Sequence, residues 1–94
     1  MDTLLNQLKE QDLELYQEIV ADLLPSSDHR NNFIICGKLQ EAIRARGWCY
    51  RTRYIDWVWV DIFDACDETL GEAECYTEAE ALLRAYLTAI QEAA

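Results

Sequence analysis

A chain of 94 residues, 51% hydrophobic and 11% aromatic, suffices for one globular domain and leaves no room for a second. Eighteen acidic side chains against eight basic ones give a formal charge of −10, which argues against nucleic acid or an anionic membrane as partner, since either requires positive charge to neutralise phosphate. No stretch nears the roughly 20 apolar residues that cross a bilayer.

The start, Met1-Asp2-Thr3-Leu4-Leu5, lacks the basic region and apolar run of a signal peptide. Leu4, Leu5 and Leu8, then Leu15, Tyr16, Ile19, Val20, Leu23 and Leu24, recur at helical spacing and predict a short helix over about 3–9 and a longer one over 12–24. Asp12 is placed to cap the second, although one bent helix also fits. Pro25 ends it, because the residue before a proline resists helical geometry, and Ser26-Ser27-Asp28 offer capping oxygens to the next helix. That helix is expected from His29 to Arg46, with Phe33, Cys36, Leu39, Ala42 and Ile43 as its buried stripe, Ile34 and Ile35 widening it, and Gly47 closing it in the left-handed conformation.

From Trp48 the period becomes two. Trp48, Tyr50, Thr52 and Tyr54 alternate with Cys49, Arg51 and Arg53; Trp57, Trp59, Asp61 and Phe63 alternate with Val58, Val60 and Ile62. Both runs read as strands. Asp67-Glu68-Thr69-Leu70-Gly71 reads as a turn leading to a short third strand over 73–76. Thr77 and Glu80 have the spacing of a capping box, opening a helix with Ala79, Leu82, Leu83, Tyr86, Leu87 and Ile90 on one face. The fold class is therefore α+β, a three-stranded antiparallel sheet with helices packed on it. Residues 1–94 form one domain: an N-terminal helical region over 1–25 and an α-β-β-β-α unit over 28–92. The order is α-α-β-β-β-α when the N-terminal region counts as one element.

No chemistry-bearing motif accompanies this order. The gaps between Cys36, Cys49, Cys66 and Cys75 contain no C-x-x-C and no spacing with His29 suited to zinc. Free thiols in a reducing cytoplasm, with no metal and no other cofactor, are the expectation. Asp61, Asp64, Asp67 and Glu68 are abundant carboxylates, but no spacing fixes two of them about a substrate. A glycine-rich phosphate loop, Gly-x-Ser-x-Gly and His-Glu-x-x-His are all missing from the sequence, so an enzyme is not expected. The α-β-β-β-α order resembles that of double-stranded-RNA-binding domains. Thr77-Glu78-Ala79-Glu80-Ala81 stands where that family is basic, so RNA binding is rejected.

Charge is uneven along the chain. Residues 1–47 carry eight acids and five bases, for −3; residues 48–94 carry ten and three, for −7. Between Tyr54 and Arg84 stand nine acidic side chains and no Lys or Arg. Arg44, Arg46, Arg51 and Arg53 concentrate half of the basic residues within ten positions. The arginines of 51 and 53 either pair with Asp61 or Asp64 across the sheet or form the positive end of a charge-segregated surface. Both faces of the 57–63 strand are largely apolar, so either helices cover both faces, the reading preferred, or the tryptophan face is an interface.

The run Gly47-Trp48, the aromatic–valine strand, the acidic turn with Gly71, and Ala73-x-Cys75-Tyr76-Thr77-Glu78-Ala79-Glu80-Ala81-Leu82-Leu83 resembles the phage ABA-sandwich family over about residues 30–92. The resemblance implies a sheet between helical layers and a phage or prophage origin, and no defined activity.

The leading expectation is a small acidic, non-enzymatic accessory protein that binds another protein or a second copy of itself. The candidate partner-binding residues are Arg51, Arg53, Trp57, Trp59, Asp61, Asp64, Asp67, Glu68, Glu72 and Glu74. A second reading makes the acidic stretch from Asp56 to Glu80 a nucleic-acid mimic that blocks a basic groove of a host defence protein. A third places a small-molecule pocket beside Trp48, Tyr50 and Tyr54.

Overall fold

The computed structural model describes residues 2–25 and 28–93. Helices α1 (Asp2–Gln11), α2 (Leu13–Asp22) and α3 (Asp28–Ala45) precede strands β1 (Cys49–Ile55), β2 (Trp57–Phe63) and β3 (Thr69–Cys75), and helix α4 (Glu78–Ala93) closes the chain. The predicted α+β class and the antiparallel sheet are both present, in the order β1-β2-β3.

Local chemistry explains most boundaries. The break between α1 and α2 is real: Asp12 caps α2, its carboxylate accepting from the Leu15 backbone N–H at 3.2 Å. Asn31 clamps the α2–α3 connection, its side chain accepting from Leu24 N–H and donating to Leu24 C=O, each at 2.8 Å. The proposed cap at Ser26 and Ser27 lies outside the described residues. Gly47, with φ of 76°, closes α3 as expected. Thr77 caps α4 through the Glu80 N–H at 3.2 Å, while the Glu80 carboxylate turns instead to Arg84 at 3.4 Å.

Three expectations need correction. Phe33 is 68% exposed and does not belong to the buried stripe of α3, which consists of Ile35, Cys36, Leu39 and Ile43. At about 100° per residue, Phe33 stands roughly 200° around the helix from Ile35; its ring meets His29 edge-on at 5.1 Å. The turn before β3 comes earlier than predicted. Asp64 makes it by accepting from the Cys66 and Glu68 backbone N–H groups at 2.8 and 3.0 Å, with Asp67 at φ of 62°. Gly71 is consequently inside β3, next to a bulge where Ile62 pairs with Gly71 and Phe63 with Thr69.

The third correction concerns the layers. Helix α4 packs on β2 and β3, α3 on β1 and on α4, α1 on α4, and α2 on α3. All these contacts gather on the face carrying Val58, Val60 and Ile62, of which Val60 and Ile62 are fully buried. The expected sandwich of the sheet between two helical layers is therefore not formed; among the described residues no helix packs on the tryptophan face. A shortest dimension of 20 Å fits one sheet and one helical layer at about 10 Å each. One-sided stacking follows from α4. Its leucines, Tyr86 and Ile90 are buried, and so are Ala81, Ala85 and Ala89, so it needs protein around most of its circumference, the stripe of Arg84, Thr88 and Gln91 staying exposed. The sheet lies on one side, and α1 and α3 flank the rest.

A polar network ties the helical layer together. The Tyr86 hydroxyl donates to the Asp12 carboxylate at 2.8 Å and accepts from Arg46 Nε at 3.2 Å, while the Arg46 guanidinium lies 5.1 Å from the Trp48 ring centre. Burial first, and the Asp12 hydrogen bond second, push the Tyr86 hydroxyl up to about 12. Replacing Tyr86 with Phe should cost about 1 kcal/mol in urea denaturation, since it removes two charge-assisted hydrogen bonds while the partly exposed Arg46 and Asp12 can rehydrate. An unchanged midpoint would show that the network carries no stability.

Candidate functional site

The open face of the sheet is built by register. Arg51 pairs with Asp61, and Asp61 with Glu72; Arg53 pairs with Trp59, and Trp59 with Glu74. Residues directly opposite point to the same face, so these two rows lie side by side. Below them, Ile55 pairs with Trp57, and Tyr76, just past β3, meets Trp57 edge-on with ring centres 4.5 Å apart. At the other end Cys49 pairs with Phe63.

Asp61 is the hub. It is the one buried charged residue among those described, at 4% exposure, and three donors converge on it. Trp59 Nε1 donates to one carboxylate oxygen at 2.8 Å; Arg51 and Arg53 donate to the other at 3.1 and 3.3 Å. Burial alone would raise its pKa. The Trp59 and Arg51 hydrogen bonds and the two guanidinium charges outweigh burial and hold the carboxyl below its ordinary value. The same arginines lie against aromatic rings, Arg53 at 5.6 Å from the Trp59 ring centre and Arg51 at 5.9 Å from that of Phe63. Each such contact contributes about 0.5–1 kcal/mol at an exposed site. The side chains are thus held in place before any partner arrives, which lowers the ordering cost of binding.

The candidates named from sequence divide cleanly. Arg51, Arg53, Trp57, Trp59, Asp61, Glu72 and Glu74 share this face. Asp64, Asp67 and Glu68 do not; they form the β2–β3 turn, where Asp64 is engaged with the backbone. Of the two proposed arginine acceptors, Asp61 is used and Asp64 is not. Glu72 and Glu74 make no ion pair among the described residues. The acidic residues of 56–80 do not form one continuous row, since the β1 side of the face is positive. Ile55, Phe63 and Tyr76 went unnamed as site residues, although continuing the two-residue alternation places Ile55 and Phe63 there.

Trp48, Tyr50 and Tyr54 do not gather about a pocket. Trp48 lies under Arg46, and the Tyr54 hydroxyl donates to Glu78 at 3.0 Å. An open depression of about 480 Å³ at the edge of the sheet is lined by Trp57, Glu74, Cys75, Tyr76, Glu80 and Arg84. It offers no activated nucleophile, because burial, followed by Glu80, raises the Cys75 thiol. Cys36 is pushed to about 11 by burial and then by Glu78. All four cysteines are free. Among the described residues no group of three or more His, Cys, Asp or Glu could hold a metal ion. No helix among them is long and apolar enough to cross a membrane.

Comparison with known proteins finds no family model, curated protein or solved structure that matches this chain.

Proposed function

We propose that this chain is a non-enzymatic accessory protein that binds another polypeptide through the open face of its sheet. The observation that carries the reading is the uncovered face itself. It presents Ile55 and Tyr76 at 65% and 78% exposure and Trp57 at 42%, beside arginines already seated on aromatic rings. Exposed aromatic residues and arginine at the centre of a patch are the composition from which binding hot spots are drawn. A sheet face left without a helical layer, with exposed apolar side chains at one end of it, is a surface that favours a protein partner. The sequence resemblance to phage ABA-sandwich proteins belongs to the same proposal as an accessory role of phage or prophage origin, with the one-sided sheet as a departure from that family's layering. The nucleic-acid-mimic reading has less support, since Asp61 lies buried beneath two arginines on the very face where mimicry would require uniform negative charge.

A photoreactive residue at Ile55 tests the proposal in cells that carry the gene. Ile55 should yield a covalent adduct with a polypeptide, and the same group at the exposed helical position Glu41 should yield none. Adducts in equal yield from both positions, or from neither, would remove the face as the binding surface.

A further inference from the structure

We propose that the polypeptide covering this face is a second copy of the chain, the two sheets stacked face to face across a two-fold axis that runs along β2. The inference rests on the reading of the open face as a protein-binding surface and adds the identity and orientation of the occupant.

Its basis is the charge pattern that the register imposes. Arg51 and Arg53 stand on β1, at one side of the face; Glu72 and Glu74 stand on β3, at the other, at the same two levels along the strands. The two guanidiniums share the single charge of Asp61, which leaves the β1 side net positive. Glu72 and Glu74 are exposed and carry no ion pair among the described residues, which leaves the β3 side negative. A surface that is positive on one edge and negative on the other complements itself under only one kind of two-fold rotation. An axis across the strands would set arginine over arginine and glutamate over glutamate. An axis along β2 exchanges the edges and keeps the levels, so Arg51 of one copy faces Glu72 of the other and Arg53 faces Glu74. Four charge pairs form at once, because a two-fold interface repeats every contact.

The apolar rows agree with that choice. At the level of Trp57 the same rotation sets Ile55 over Tyr76 of the second copy and Trp57 near its own counterpart, so exposed apolar side chains meet apolar ones. Asp61 falls near the axis, where two carboxylates would repel if bare. Each is already buried under two guanidiniums. Sheets that pack face to face cross at about −30°, so the axis bisects the two β2 directions.

The size of the face sets the strength. Three strands of seven residues, spaced about 4.8 Å apart and rising about 3.3 Å per residue, give a footprint of roughly 14 by 23 Å. The total area buried lies at or below the roughly 1,000 Å² that marks a stable complex. A weak, concentration-dependent dimer is therefore expected.

Sedimentation velocity on the full chain from about 10 µM to 1 mM tests this. The wild type should move from monomer toward dimer over that range. The double reversal E72R/E74R should raise the dissociation constant at least tenfold, because it sets arginine against arginine while touching no ion pair within the described fold. A second variant, W57E, guards against a local effect of the first. It places two carboxylates near the axis and should cause a comparable loss, with an unchanged far-ultraviolet circular dichroism spectrum in both cases. A wild type that remains monomeric at 1 mM overturns the proposal. So does a dimer that E72R/E74R leaves intact, since that dimer would use a sheet edge or another surface. The broader reading is decided separately: an Ile55 adduct of other than doubled mass, with a monomeric chain, removes the second copy and keeps the binding face.

Discussion

Gly71→Ala should destabilise the protein by about 3 kcal/mol, at the upper end of overpacking costs, and lower the melting temperature by roughly 12–24 °C for a domain of this size. Gly71 is buried in β3, where α4 crosses the sheet. A methyl group there would run into the Ala85 carbonyl oxygen and come within 3.0 Å of the Ala89 nitrogen and 3.2 Å of Thr88 Cβ. Two of those three obstacles are helix backbone, which cannot rotate aside, so either the helix lifts from the sheet or the strand bends. Backbone conformation is not the issue, because Gly71 does not sit in the left-handed region. A matched control isolates the cause. At Gly37, inside α3, nothing lies within 4 Å of an added methyl, so Gly37→Ala should stabilise by about 0.5–1 kcal/mol through backbone entropy and helix propensity. Thermal denaturation of the two variants beside the wild type is sufficient. A wild-type melting temperature for Gly71→Ala would mean that α4 does not rest on β3 as described.

Asp61→Ala is the second large effect, about 2 kcal/mol at neutral pH. The substitution removes a buried carboxylate that receives one indole and two guanidinium hydrogen bonds, and bonds to a charged group contribute more than neutral ones. The loss stays below that of a fully buried ion pair because the Arg51 and Arg53 side chains are 62% and 47% exposed and can rehydrate. The effect must also depend on pH in a definite direction. The folded-state carboxyl titrates below its ordinary value of about 3.9. Its stabilisation is therefore complete above about pH 4 and is lost as pH falls through the lowered folded value. In urea denaturation the gap between wild type and Asp61→Ala should be full at pH 7 and close progressively below pH 4. A gap that holds constant down to pH 2, or no gap at pH 7, would remove Asp61 as the hub of the face. The same variant should weaken partner binding, since Arg51, Arg53 and Trp59 lose the acceptor that orders them.

Much of this arrangement could be read from local pattern. The period-two run of Trp57–Phe63 became β2 over the same residues, Asp12 divided the N-terminal helices, and Thr77 opened α4. Each is a property of neighbours in sequence, where spacing and a single side-chain oxygen decide the outcome. Arg51 and Arg53 were also legible as partners of an acid across the sheet. Which acid was not, because the register across the β1–β2 turn, which sets Arg51 opposite Asp61, is a match between two strands that neither strand records alone. Phe33 misled for a related reason: it is apolar and close to the stripe, but no element arrives to cover its side of α3. Gly71 misled too, because a glycine among acidic residues signals a turn, and its true cause is a helix backbone fourteen residues further along the chain.

Composition and periodicity by themselves determined the class of the fold, its element order, and the two apolar faces of β2. They carry this information because secondary structure responds to the spacing of side chains along one segment. Only the tertiary structure decided which face α4 would cover, and therefore which face remains open. That choice depends on Gly71 and the alanines of α4 permitting close approach on one side, a fit between segments that no single segment records.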